Sequence, residues 1–143
     1  MTPSQLSGER LRPLEQVFKG LADPNRLRIV NLLLHGELCV CDLQFVLDAP
    51  QPNVSRHLTY LKNCGLLLDR RAGPRIYYRL APSAEPWRRP LFRFLETAFR
   101  DDRQLAEDTR KLQQAIEAGS CNATEWRPLA GLLRRAALPR ETR

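Results

Sequence analysis

The chain has 143 residues, 43% of them apolar and only 7% aromatic, with a formal net charge of +7. That length fits one domain with modest tails, and Leu, Val and Ile must supply most of a small core. No run of about 18 apolar residues occurs, so no membrane span is expected. Residues 1–12 lack the apolar segment of a signal peptide, so a cytoplasmic chain is expected, with Cys39, Cys41, Cys64 and Cys121 as thiols rather than a disulfide framework.

In chain order, residues 1–12 read as an N-terminal arm, and Leu11, Leu14, Phe18 and Leu21 recur at helical spacing to form a first helix. Asp23-Pro24 reads as an N-cap followed by proline at the first helical position. A second helix follows, carrying Leu27, Ile29, Val30, Leu33 and Leu34. A third, short helix is expected from Cys39 or Val40 to Leu47, then a turn at Asp48-Ala49-Pro50. The fourth helix starts near Pro52, buries Val54, Leu58 and Leu61, and ends at Cys64-Gly65 with the glycine as cap.

From Leu66 the period changes. Leu66 to Arg71 and Arg75 to Leu80 are strand-like around Ala72-Gly73-Pro74, which predicts a β-hairpin with an arginine-rich tip. One long helix is expected beyond it, with its apolar stripe running from Leu91 to Ile116 and its end at Gly119. The tail, residues 119–143, is expected either to form one more short helix around Trp126 to Leu133 or to stay loose. Between Arg56 and Arg93 there are nine Lys or Arg, opposed only by Asp69 and Glu85, so this stretch carries the whole positive excess. On charge alone such a footprint suits a polyanionic partner or a solvated basic face equally.

The expected fold is therefore mainly α with a small β-hairpin, in the order α-α-α-α-β-β-α. Two short helices joined by a tight turn and followed by a basic hairpin make a winged helix-turn-helix, whose second helix enters the major groove. That helix offers Gln51, Asn53, Ser55, Arg56, His57, Thr59, Tyr60 and Lys62 to base edges and phosphates. His57 is assigned to DNA or to structure rather than to a metal. In the wing, Arg70, Arg71 and Arg75 can track the backbone or enter the minor groove. Of Tyr77 and Tyr78, one should face the core and one the outside.

The runs Leu21-Ala-Asp-Pro-Asn-Arg-Leu-Arg-Ile, Glu37-Leu-Cys-Val-Cys-Asp-Leu, Gln51-Pro-Asn-Val-Ser-Arg-His-Leu and Leu61-Lys-Asn-Cys-Gly-Leu-Leu resemble the ArsR/SmtB family of metal-responsive repressors. The resemblance covers residues 13–118. It implies a dimeric DNA-binding domain over that span, a homodimer with contacts from the first and last helices. It also implies release of double-stranded operator DNA when As(III) or Sb(III) binds, as in arsenic resistance. Two positions depart from the pattern. Gln44 stands where arsenic repressors of this type often have a third Cys, and Pro50 stands where Ser often precedes the recognition helix.

As(III) and Sb(III) prefer thiolates, so Cys39 and Cys41 beside Asp42 are the expected ligands. Cys64, Cys121, the other subunit or a small cellular thiol remain candidates for a third sulfur, although burial without a ligand role is the simpler reading of Cys64 and Cys121; two protein thiolates alone also suffice for an organoarsenical with only two open positions. In a regular helix residues i and i+2 lie roughly 200° apart, so a ligand held by both is expected to unwind the first turn of the third helix. Cadmium is disfavoured because residues 1–38 contain no further Cys. Zinc is disfavoured because the last helix has Asp101, Asp102, Glu107 and Asp108 but no His. The alternatives are a repressor that senses oxidation through the same pair, and a thiol oxidoreductase. No acid–base constellation supports the second, so an enzyme is not expected.

Overall fold

A computed structural model describes residues 3–82 and 85–119, with side chains from residue 11 on. Cys121 and the helix expected around Trp126 lie outside the described residues. The elements are α1 (Pro3–Leu21), α2 (Pro24–Leu33), β1 (Leu38–Cys39), α3 (Val40–Leu47), α4 (Gln51–Asn63), β2 (Leu67–Ala72), β3 (Arg75–Leu80), α5 (Arg88–Phe99) and α6 (Arg103–Glu117). Among the described residues no helix is long and apolar enough to cross a membrane.

Local chemistry explains most of the boundaries. The Asp23 carboxylate accepts from the backbone N–H groups of Asn25 (2.8 Å) and Arg26 (3.1 Å), satisfying two orphan donors of α2. Arg26 reaches back and donates to the carbonyls of Gly20 (2.7 Å) and Lys19 (3.2 Å), closing the end of α1. After α4, Gly65 takes φ +79° and the Leu66 N–H bonds the Leu61 carbonyl at 3.0 Å, a six-to-one closure that a residue with a Cβ resists. Arg88 seals the same corner. It is 6% exposed and donates to the Gly65 carbonyl (2.8 Å) and to Glu85 (3.0 Å). One of the nine cations counted in the basic stretch is therefore structural.

Three elements differ from expectation. Helix α1 begins at Pro3, taking in most of the stretch expected as an arm. Residues Leu38–Cys39 form a strand, pairing Leu38 with Tyr78 and Cys39 with Tyr77, so the sheet has three antiparallel strands in the order β1-β3-β2. Two residues are too few to show a period of two. The long last helix is two helices, broken between Phe99 and Arg103. Asp102 restarts the chain by accepting from the Leu105 N–H at 2.9 Å, a cap that outcompetes helix continuation.

The core is one cluster in which Ile29, Leu32, Leu43, Leu58, Leu61, Leu66, Leu67 and Leu112 are fully buried. Polar contacts fasten α6 to α2. Arg28 makes two bonds to buried Asp108, at 2.8 and 3.0 Å, and the Asn31 amide reaches the Leu105 carbonyl at 3.3 Å. Asp108 is thereby committed to a guanidinium.

His35, at the end of α2, is buried, and burial lowers its pKa from 6.5 to about 4. The folded chain holds it neutral while the unfolded chain protonates near 6.5. Its contribution is therefore present above pH 6.5 and is lost as pH falls toward 4. Going from pH 7 to pH 5 should cost roughly 2 kcal/mol of stability through this group. Urea unfolding against pH measures it. A His35→Gln chain that keeps the same dependence between pH 6.5 and 5 would assign the effect elsewhere.

Candidate nucleic-acid interface and thiol site

Helices α3 and α4 form a tight pair. Asp48 caps α3 in the left-handed region (φ 51°), a conformation Asp tolerates, and Ala49 and Pro50 complete the turn. Helix α4 starts at Gln51, one residue before the position expected, with Pro52 in its first turn. It buries Val54, Leu58 and Leu61, which leaves Gln51, Asn53, Arg56, Thr59, Tyr60 and Lys62 exposed and Ser55 and His57 half-buried.

The structure sorts these residues by what holds them. Arg56 donates to the Asn53 side chain at 2.7 Å on the open face. The Tyr60 ring lies under the Arg26 guanidinium, 4.2 Å away. His57 Nδ1 stands 4.0 Å from the Asp23 carboxylate, a contact that turns it toward the α2 cap. Lys62 pairs with Asp69 of β2 at 2.9 Å, linking the helix to the wing.

The wing is the β2–β3 hairpin, closed by a two-residue turn in which Gly73 has φ +62°, as primed hairpin turns require. Tyr78 packs on the core, while Tyr77 shares the opposite face with Arg75 and Arg79. Arg70 is committed on that face. It donates to Glu37 at 2.8 Å and its guanidinium stacks 4.6 Å above the Tyr77 ring. Arg71, Arg75 and Arg79 are exposed. Arg79 was missed as an interface candidate, although its spacing of two from Tyr77 and four from Arg75 placed it on their face.

Cys39 and Cys41 sit where the sheet meets the helix pair. Cys39 ends β1 and caps α3 in extended conformation (φ −84°, ψ 163°), with 1% exposure. Cys41 is exposed in the first turn of α3. Because Cys39 precedes the helix, the helical spacing argument does not apply to this pair, and the sulfurs converge without unwinding. The structure joins them as a disulfide, where separate thiols were expected. The Asp42 carboxylate accepts from the Cys39 N–H at 3.1 Å, and the Cys39, Cys41 and Asp42 ligand atoms all lie within 4.8 Å of one another. This is the donor cluster found among the described residues.

A pocket of about 200 Å³ opens beside the two sulfurs, walled by Val40 and Gln44 of α3, Gln51 of α4, and Pro74, Arg75 and Ile76 of the hairpin. Cys64 is elsewhere. It is half-buried against α1, where a Cβ added at Gly20 would meet its Sγ at 3.4 Å. Burial raises its pKa, against the opposing pull of Arg26 and Lys19, so it is a protonated thiol at neutral pH.

A helix pair with an open polar face, followed by a basic two-stranded wing, defines a winged helix-turn-helix DNA-binding domain. The profile described as "Bacterial regulatory protein, arsR family" matches residues 23–67. The arsenical resistance operon repressor of Escherichia coli is 56% identical over 73 residues, 50% of this chain and 62% of that protein. An HTH-type transcriptional regulator of Methanocaldococcus jannaschii is 38% identical over 71 residues, 49% of this chain and 80% of that protein. The solution structure of a homodimeric winged helix-turn-helix domain from Mycobacterium bovis, a possible ArsR-family regulator, matches with TM-score 0.55 and 28% identity. It covers 68% of this chain and 83% of that one. The chain belongs to the ArsR family of helix-turn-helix transcriptional regulators. It spans between 56% and 63% of the length of the arsenic-resistance relatives it matches.

Proposed function

We propose that the chain is a cytoplasmic transcriptional repressor that binds operator DNA as a homodimer and is released when As(III) or Sb(III) binds Cys39 and Cys41. The observation that carries this reading is the position of the thiol pair. Cys39 is paired with Tyr77 of the wing and also caps α3, and the pocket beside the sulfurs is walled by Gln51 and Arg75, two of the residues assigned to DNA. A ligand held there touches both DNA-reading elements. The α3 first turn and the β1–β3 ladder replace helix unwinding as the route of coupling. Release requires only that the ligand favour the shape that does not bind, and about 2.7 kcal/mol lowers affinity roughly a hundredfold.

The dimeric unit is taken as residues 13–118. Large apolar side chains left open on α1 (Phe18 56%) and α5 (Phe94 64%) support a partner across those helices. One helix-turn-helix reads a half-site, so a symmetric pair is the way to a full one.

The test is an operator titration by fluorescence anisotropy under full reduction, with sedimentation of the complex. Arsenite or antimonite should dissociate a complex of two chains per operator. A monomeric complex, or one indifferent to both metalloids, overturns the reading. The Cys39–Cys41 bridge favours a second reading, in which peroxide oxidises the two thiols to the disulfide and yields two waters. Release by peroxide without metalloid would select it.

A further inference from the structure

We propose that the preferred inducers are trivalent arsenicals carrying one carbon substituent, held by both sulfurs with the substituent lodged in the adjoining pocket. This rests on the metalloid-sensing reading and names its ligand class. Among the described residues the donor set is a dithiolate. The third donor of the cluster, Asp42, is a hard oxygen ligand, 2% exposed and engaged by the Cys39 N–H. Gln44, one turn beyond Cys41 on the same helix face, offers only a neutral amide, and Cys64 faces α1. Inorganic As(III) has three exchangeable positions, so two thiolates leave one still carrying hydroxide. A monosubstituted arsenical has two, and the pair satisfies both.

The pocket supplies a place for the substituent. Its volume is about 200 Å³, and Val40, Pro74 and Ile76 give it apolar walls. A cavity of about 150 Å³ is enough to hold benzene, so a methyl group or one aromatic ring fits. The reaction balances without a change at arsenic. With the arsenical as its dihydroxide, which phenylarsine oxide becomes by adding one water, two As–S bonds form, two As–O bonds break, and the thiol protons leave with the hydroxyls as two waters. The disulfide is opened beforehand by a phosphine, which takes oxygen from water while two protons go to the sulfurs.

The experiment uses the full chain, reduced with phosphine and free of added thiol. It is titrated with phenylarsine oxide, monomethylarsonous acid and arsenite by calorimetry and by operator release. Both organoarsenicals should bind one per chain, at least about tenfold tighter than arsenite. X-ray absorption of the complexes should count two sulfurs per arsenic. Gln44→Cys adds a third sulfur near the first two and should raise arsenite affinity about tenfold or more, and by more than it changes phenylarsine oxide, whose two exchangeable positions are already filled. Gln44→Trp, which fills the pocket, should weaken phenylarsine oxide more than the methyl compound. Arsenite binding as tightly as the organoarsenicals, or three sulfurs in the wild-type arsenite complex, overturns the proposal and leaves metalloid sensing standing. Undiminished binding of all three probes by Cys41→Ser overturns both.

Discussion

Arg56→Ala should weaken operator binding by about 1–3 kcal/mol, between several-fold and more than a hundredfold, while leaving the fold intact. Arg56 stands on the open side of α4, away from Val54, Leu58 and Leu61, and its hydrogen bond is to Asn53 on the same face. The substitution removes the guanidinium expected to pair with a guanine edge, and no core contact goes with it. The wing should answer differently. Arg75→Ala should weaken all sequences alike and reduce the salt slope by about one. Arg70→Ala should have the smaller effect on DNA of the two, because Glu37 and Tyr77 already hold that side chain on the domain. Anisotropy at several salt concentrations separates these outcomes. Unchanged operator affinity for Arg56→Ala would remove α4 from the role of reading helix.

Cys41→Ser should keep operator binding and lose release, raising the arsenite needed for half-dissociation on the order of a hundredfold or more. Serine keeps the size but is a harder and far less acidic donor. The exposed position of Cys41 makes this the cleaner of the two substitutions. Cys39 is buried, so Cys39→Ser also places a hydroxyl in the core at a cost of about 1–3 kcal/mol. Its loss of release should be read beside a melting curve. Cys64→Ser and Cys121→Ser should leave the response intact. If Cys39→Ser and Cys41→Ser both release DNA at wild-type arsenite concentration, sensing through this pair is wrong.

The reach of the sequence shows at particular residues. Asp23-Pro24 and Gly65 marked a helix start and a helix stop, because a cap bonds atoms two to five residues away. Asp102 carried the same kind of signal but sat within a long apolar stripe, and the stripe was read through it. The eight polar positions of α4 followed from a period of 3.6, yet periodicity could not separate Arg56, bonded to Asn53 on the open face of its own helix, from Lys62, tied to Asp69 of the wing. Arg88 looked like one more surface cation and is a buried clamp on Gly65.

By itself the sequence determined the two short helices, the hairpin, the open face of α4 and the pair of cysteines, since each rests on neighbours along the chain. Only the tertiary structure decided that Leu38–Cys39 joins the wing as a strand, that Cys39 lies outside the helix so its sulfur meets that of Cys41, and that Gln51 and Arg75 wall the pocket beside them. Those placements bring together residues from α3, α4 and β3. The shared core fixes how these elements pack, and no local period or cap records that packing.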